Sequence, residues 1–247
     1  MVRSKSIDMA ESKGNFFIVS TPIGNLSDIT YRAVETLKSV NYIICEDTRV
    51  TKILLDHYAI SKPLLVSNAR SEMSIISKVL DDLNSGQNIA MVSDAGTPCI
   101  SDPGVRIINK LIHNNIIVTG IPGVSAAMLA LSISGLPTDS FRFEGFLPQK
   151  KGRQKKLKQL AEEDITIILY ESVYRIKKLI EELNEYMPSR EIVIARELTK
   201  KFEETWRGTP SNILSQFDQK ILKGEFTIVI SPSSWKSSSS EFYSESK

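Results

Sequence analysis

Two carboxylates and a run of small residues crowd the stretch Val92-Ser93-Asp94-Ala95-Gly96-Thr97-Pro98-Cys99-Ile100-Ser101-Asp102-Pro103-Gly104. It follows a short apolar run, Asn88 to Val92, and precedes an amphipathic run from Val105 to Asn114, so it reads as the turn between a strand and a helix. Ala95, Gly96 and Thr97 carry little side chain and leave bare backbone amides for a ligand to lie against. Asp102 reads as a helix N-cap and Pro103 as the first helical residue. Glu46-Asp47-Thr48-Arg49 closes a second apolar run with two carboxylates and a guanidinium. Asp28, Glu171, Glu197 and Lys200 also fall at strand ends. Each of these groups could hold or take a proton. Each could also be a helix cap or an ion-pair partner, and spacing does not choose among them.

The elements that must position these groups alternate along the chain. Phe16–Val19, Tyr42–Cys45, Leu64–Val66, Ile89–Val92 and Ile116–Val118 are short apolar runs separated by helical patterns. Among the helices, Gly86 is the natural C-cap of the third. Near-continuous apolar strands between helices imply a parallel five-stranded sheet covered on both faces. Turns at the carboxyl ends of such strands are where open α/β sheets take small molecules. The second half reads as a mixed α/β domain. Its strands are Phe141–Phe146 (alternating), Ile165–Tyr170, Ile192–Ala195 and Phe226–Ile230, with helices over Arg153–Glu163, Tyr174–Tyr186 and Ser211–Lys223. The expected division is a flexible 1–14, a domain over 15–122, a second over 123–232, and a disordered serine-rich tail over 233–247.

Composition narrows the function classes. With 31 basic and 29 acidic residues the net charge is +2, so any polyanion contact must come from a local patch. The one dense basic run is Lys150 to Lys158, which could neutralise phosphates or could be a solvated helix face. Two cysteines and no CxxC or His/Cys cluster argue against a disulfide framework or a metal site; Cys45 reads as a small buried hydrophobe. His57 and His113 sit in late helical turns, where the helix dipole accounts for them. Trp206 lies in a strand pattern and reads as packing; Trp235, like it, could stack on a base. There is no GxGxxG and no GxxxxGK[ST], which removes the usual dinucleotide and nucleotide-triphosphate sites. No apolar run approaches the roughly 20 residues of a membrane span, and the first residues are polar. A cytoplasmic, soluble protein is expected.

Several segments stand in a family order: Ser20-Thr21-Pro22-Ile23-Gly24-Asn25-Leu26, Glu46-Asp47-Thr48-Arg49, Asp94 to Pro98 with Ile100 to Gly104, and Ile121-Pro122-Gly123-Val124-Ser125-Ala126. Ser134 to Asp139, Gly145 to Pro148, Tyr170-Glu171-Ser172, Ala195 to Lys200, Arg207-Gly208-Thr209 and Gly224-Glu225 continue it. Together they resemble the ribosomal RNA small subunit methyltransferase I family of the tetrapyrrole-methylase (class III methyltransferase) superfamily. The likeness runs from about Asn15 to Pro232.

The resemblance implies a two-domain α/β fold and S-adenosylmethionine as methyl donor, folded in the cleft between domains. It implies methylation of the ribose 2′-hydroxyl of a cytidine in the decoding region of 16S ribosomal RNA, by a homodimer. It places Pro22, Gly24, Asp94, Ala95, Gly96 and Thr97 against the donor, with Ser125 and Ala126 on a second segment. Tyr170, Leu198 and Thr227 reach it from the second domain. Glu46, Asp47, Arg49, Glu197 and Lys200 are the candidate catalytic groups, with the Glu46–Arg49 loop expected to hold RNA and shape the loop rather than take the proton. Lys150, Lys151, Arg153, Lys155 and Lys156 are the candidate RNA contacts. The chain departs from the family pattern at Ser67–Glu72, at Val173-Tyr174 and at Cys99, which replaces a glycine. The alternatives are a tetrapyrrole-precursor or protein methyltransferase of the same superfamily, and a non-catalytic RNA- or nucleotide-binding module.

Overall fold

The computed structural model describes residues 13–67, 72–217 and 223–236. Expectations for 1–12, for 68–71 and for the tail beyond 236 lie outside the described residues. The chain divides into two compact units, Met1–Val124 and Ser125–Lys247.

In the first unit five strands, β1 (Phe16–Val19), β2 (Tyr42–Cys45), β3 (Leu64–Val66), β4 (Ile89–Met91) and β5 (Val118–Ile121), form one sheet in the order β3-β2-β4-β1-β5. Every pairing is parallel. Alternate residues feed two cores, as the pleat demands. Phe16, Tyr42, Ile44, Ile89 and Met91 meet helices α3 (Glu72–Asn84) and α4 (Val105–His113). Val19, Ile43, Cys45, Ala90 and Val92 meet α1 (Tyr31–Ser39) and α2 (Thr48–His57). The helix ends follow local chemistry. Thr30 caps α1 by accepting from the Ala33 N–H at 3.1 Å, and Asp47 caps α2 by accepting from the Arg49 N–H at 2.8 Å. After α3, Gly86 N–H reaches Leu83 O and Gln87 N–H reaches Asp82 O, both at 3.0 Å, a Schellman close on the expected glycine.

Three local expectations fail in this unit. Asp102 does not cap α4: that helix begins two residues past Pro103, and its N-cap is Gly104 at φ +128°. Cys99 (φ +72°) and Ser101 (φ +67°) turn the chain in the left-handed region first, at about 1–2 kcal/mol each for a residue with a Cβ. The backbone at position 99 is thus one that suits glycine, and this chain carries cysteine. Asp28 is not the cap of α1 either; it ends a single 3-10 turn, Leu26–Asp28, set by Asn25. The fifth strand lies two residues later than expected, because Asn115 at φ +55° ends the preceding turn and Phe16 pairs with Val118.

The second unit opens with α5 (Ala126–Ser134) and continues as β6 (Phe141–Phe146), α6 (Arg153–Ala161), β7 (Thr166–Ser172), α7 (Ile176–Tyr186), β8 (Ile192–Arg196), β9 (Glu204–Gly208), α8 (Pro210–Ser215) and β10 (Glu225–Ile230). The sheet order is β6-β7-β10-β8-β9, with β6 parallel to β7 and the other pairs antiparallel. Leu157 and Leu160 of α6, Leu179, Ile180 and Leu183 of α7 and Ile213 of α8 bury one face with Leu169, Ile194 and Ile228. Helix α5 packs on the opposite face, over β7 and β10. Strand β9 lies outside the four named strands, although the strand pattern around Trp206 points to it. The last helix is shorter than expected, beginning at Pro210 with Thr209 as cap; residues 218–222 of the expected span lie outside the described residues. The alternation expected of Phe141–Phe146 breaks at a bulge between Phe143 and Gly145.

Candidate functional site

The loops beyond β1, β4 and β5 are laced together. Thr21 and Gly96 exchange both backbone hydrogen bonds, Thr21 N–H to Gly96 O at 2.9 Å and Gly96 N–H to Thr21 O at 3.0 Å. The Thr97 hydroxyl donates to Val124 O at 3.2 Å, so at 3.0 Å the Ser20 hydroxyl is the donor to Thr97 Oγ1. Gly123 lies so close to Ser20 that a Cβ built there would sit 2.7 Å from the Ser20 Cβ. Pro22 is buried, while Gly24, Asp94 and Ala95 are exposed. One expectation needs correction here: the Gly96 amide is not bare, since Thr21 occupies it. The exposed main chain of this turn is that of Asp94 and Ala95.

The carboxylates sort by environment. Asp47 is half-buried, and Arg49 holds its carboxyl well below the usual range through its side chain and N–H, with Nε at 3.0 Å and Nη2 at 2.5 Å. Asp47 and Arg49 therefore shape the start of α2. Glu46 is different. Burial, then the neighbouring Asp102 and Asp94, push its carboxyl up to about 7, against the opposing pull of the Asp94 N–H. Asp94 and Asp102 are themselves raised, chiefly by burial. Asp94 Oδ1 accepts from the Asp47 N–H at 3.1 Å, which ties the β2 and β4 loops. Three carboxyls at the ends of two adjacent strands thus compete to ionise, and one titrates near neutral pH. A carboxyl in that range can exchange a proton at neutral pH.

In the second unit, Tyr170, Thr227 and Ala195 share one rung across β7, β10 and β8. The Tyr170 hydroxyl accepts from the Ala127 N–H at 3.1 Å, which brings Ser125 and Ala126 at the start of α5 to that rung. Ser125 is the N-cap by position, with no side-chain capping bond. Leu198 is buried in the loop after β8, between Glu197 at φ +52° and Thr199 at φ +67°. The structure therefore brings Tyr170, Thr227 and the start of α5 together, and places Leu198 in the loop after β8.

The acid–base candidates of this unit fare differently. Glu171 faces the α6–α7 side, fully buried, with Arg175 Nε 2.7 Å from its Oε1 and Arg153 nearby, so it is a packing charge rather than a base. Burial alone would raise Glu197, yet Lys200 at 2.9 Å and the Glu225 N–H at 3.0 Å bring it below its ordinary value. Lys200 is raised, the carboxylates of Glu225 and Glu197 outweighing burial, so it stays a cation.

The basic run also divides. Arg153 is only 4% exposed. Its Nε donates to both Glu182 oxygens at 2.8 and 3.0 Å and its Nη1 to Pro148 O at 3.2 Å, so it is not a phosphate contact. Lys156 is 2.6 Å from Glu144. Lys150, Lys151 and Lys155 remain exposed. Trp206 lies in the core against Phe217 and Phe226. Sequence reading missed Asp102 as a member of the carboxyl cluster and Thr21 as the partner of Gly96; the Ser-Thr-Pro after β1 was the available signal for the second. Among the described residues no group of histidine, cysteine or carboxylate side chains could hold a metal ion, and no helix is long and apolar enough to cross a membrane.

A model of the tetrapyrrole (corrin/porphyrin) methylases matches residues 15–214. The ribosomal RNA small subunit methyltransferase I of Halalkalibacterium halodurans is 41% identical over 247 residues, covering 100% of this chain and 86% of that protein. The protein of the same name from Thermotoga maritima is 44% identical over 218 residues, 88% of this chain and 98% of its own. Among solved structures, a uroporphyrin-III C-methyltransferase from Thermus thermophilus complexed with S-adenyl homocysteine aligns with a TM-score of 0.61 at 16% identity, over 87% of this chain and 97% of that one. A diphthine synthase aligns with a TM-score of 0.69 at 11% identity, over 88% and 90%. At those identities the likeness is one of fold.

Proposed function

The chain belongs to the tetrapyrrole methylase family, and on that premise we propose that it methylates the ribose 2′-hydroxyl of a cytidine in the decoding region of 16S ribosomal RNA. The coarser activity, S-adenosylmethionine-dependent methylation of ribosomal RNA, is that of its relatives. The observation that carries the reading is a contrast in identity. Enzymes named for ribosomal RNA are 41% and 44% identical over nearly the whole chain, whereas the uroporphyrin enzyme is 16% identical. That contrast disfavours a tetrapyrrole acceptor. A cytoplasmic homodimer is part of the same reading.

The residues present suit the donor. S-adenosylmethionine supplies, when bound, a methyl on a cationic sulfur whose departure leaves a neutral thioether. A further cation suits the Glu46, Asp94 and Asp102 cluster, since burial raises all three carboxyls and neighbouring carboxylates add to it, Asp102 and Asp94 at Glu46, Asp47 at Asp94 and Asp94 at Asp102. In the first unit Pro22, Gly24, Asp94, Ala95, Gly96 and Thr97 hold the donor, on loops whose shape is fixed before binding by the Thr21–Gly96 bridge. In the second unit Ser125, Ala126, Tyr170, Leu198 and Thr227 do so. Glu46 takes the proton as the ribose oxygen forms its bond to carbon, and returns it to water. A carboxylate titrating near 7 is matched to that task. Asp47, Arg49, Glu197 and Lys200 keep loop shape and charge.

The test is transfer of labelled methyl from S-adenosylmethionine to small-subunit particles that lack the modification, followed by nucleoside analysis. Label in 2′-O-methylcytidine is the expected result. Label on a base, or on no nucleoside at all, would sink the assignment.

A further inference from the structure

The carboxyl ends of β6, β7 and β8 and the amino ends of β9 and β10 fall on one edge of the second sheet. Three aromatic side chains stand out along it: Phe146 is 52% exposed, Tyr174 93% and Phe202 65%. Rings this open present broad apolar faces on which another ring can stack. Phe146 is there because of the bulge. Strict alternation would send Phe143 and Phe146 to opposite faces of β6. The extra residue re-phases the strand so that Gly145 pairs with Leu169 and Phe146 with Tyr170. Both rings then meet Tyr170 edge-on, with centroids 5.1 and 5.7 Å away.

Cations alternate with these rings. Lys150 and Lys151 follow Phe146 and are exposed, and the Lys201 ammonium lies 5.5 Å over the Phe202 ring. The carboxylates of the same edge are each engaged. Glu197 and Glu225 bind Lys200, Glu204 binds Arg196, and Glu203 accepts from the Thr199 N–H at 2.6 Å. Phe146, Tyr174, Phe202, Lys150, Lys151 and Lys201 face outward, beside the exposed carboxylates of Glu203 and Glu225. From β6 to β9 the edge spans roughly 19 Å at four strand spacings, room for about five nucleotides of stacked single strand.

We propose that this edge is a stacking platform for single-stranded RNA. Phe146, Tyr174 and Phe202 take base faces, Lys150, Lys151 and Lys201 take phosphates, and Phe146 carries the base of the nucleotide to be methylated. The last point follows from its contact with Tyr170, and it rests on the reading of Tyr170 as a donor contact and of RNA as the acceptor. Stacking on a splayed base is how proteins read single strands, since the faces of paired bases are covered.

The experiment uses the full chain, a short unstructured fluorescein-labelled RNA containing cytidine, and small-subunit particles lacking the modification. Tyr174→Ala and Phe202→Ala, both at highly exposed positions, are expected to weaken RNA binding by about 5- to 150-fold. Donor affinity and melting temperature should stay unchanged. Phe146→Ala should do the same, with Phe146→Trp restoring affinity and its indole emission quenched by RNA. Neutralising Lys150 and Lys151 together should lower the salt slope of RNA binding by about 1.4. Aromatic variants that bind RNA within twofold of the parent, in a parent that methylates particles, would overturn the platform and leave the function standing. Losses of RNA binding matched by losses of donor affinity or of melting temperature would overturn it as well, as packing alone would produce them. A parent that neither binds nor methylates RNA would remove the function and the platform with it.

Discussion

Replacing Glu46 by glutamine removes a charge and keeps a shape, and both stability and turnover should respond with a defined sign. The Glu46 carboxyl is pushed up to about 7 in the fold, against an ordinary 4.5. At about 1.4 kcal/mol per pH unit between those values, ionisation costs the fold about 3 kcal/mol, and residual solvent around a half-buried side chain reduces this to about 2. Because the value is raised, the cost is absent below 4.5, where the carboxyl is protonated in folded and unfolded chain alike. It grows as pH rises from 4.5 to 7, where only the unfolded chain ionises freely, and is constant above 7. Glu46→Gln should therefore be more stable than the parent by about 2–3 kcal/mol at pH 8 and by about 1 kcal/mol or less at pH 5. Urea unfolding at both pH values, without donor, measures it. Methyl transfer by the variant should fall by about 10²- to 10⁴-fold at saturating donor, and the parent's rate should rise through about pH 7 to a plateau. Equal stabilities at pH 8, or a larger gain at pH 5 than at pH 8, would refute the picture of three competing carboxyls.

Gly96→Arg places a long side chain on a backbone at φ +81° in the laced turn; calorimetry should find S-adenosylmethionine binding abolished in a variant that stays folded, and unchanged affinity would remove Gly96 from the site. Arg153→Ala leaves Glu171, fully buried, without one of its cations and should cost about 3–5 kcal/mol in urea unfolding; an altered salt slope of RNA binding at unchanged stability would return Arg153 to the RNA surface. If the cluster binds the donor as a cation, lowering the pH below 7 should weaken S-adenosylmethionine by up to about tenfold per unit. S-adenosylhomocysteine, lacking the sulfonium charge, should weaken less, and parallel titrations of the two would show that the carboxyls do not sense the sulfur.

Much of the scaffold was legible because burial on both faces writes itself into composition. Tyr42–Cys45, buried throughout, has the bounds its apolar run predicts; Leu64–Val66 does too, though as a half-exposed edge strand, and Gly86 closes α3 as its position requires. The failures are where pattern and backbone part. Glu204–Gly208 is an edge strand with one deeply buried side chain, Trp206, among polar neighbours, so no apolar run marks it. Helix α4 starts late because three successive left-handed turns, at Cys99, Ser101 and Gly104, consume the residues that look like its cap. The bulge in β6 cannot be read from an alternation it interrupts.

The site was legible as a set of loops and illegible as a set of couplings, for one topological reason. Strands consecutive in sequence are β1, β2, β3, β4, but their spatial order puts β4 between β2 and β1. That crossover is what brings Glu46 beside Asp94 and Asp102, and Thr21 onto Gly96. No spacing along the chain carries such proximity. The same fact separates the fates of neighbouring residues. Glu46 turns into the cluster and is raised, while Asp47, next in the chain, meets Arg49 and is lowered. In the basic run, Arg153 faces Glu182 and Glu171 while Lys150 and Lys151 face water. Residue type nominates a candidate, and the strand order and helix face decide its charge state and therefore its work. A carboxyl cluster in the first unit suits a cationic donor, and an edge bearing aromatic rings and lysines in the second suits a polyanionic strand. The net charge conceals that division, because each patch is local and the other charges of its own unit balance it.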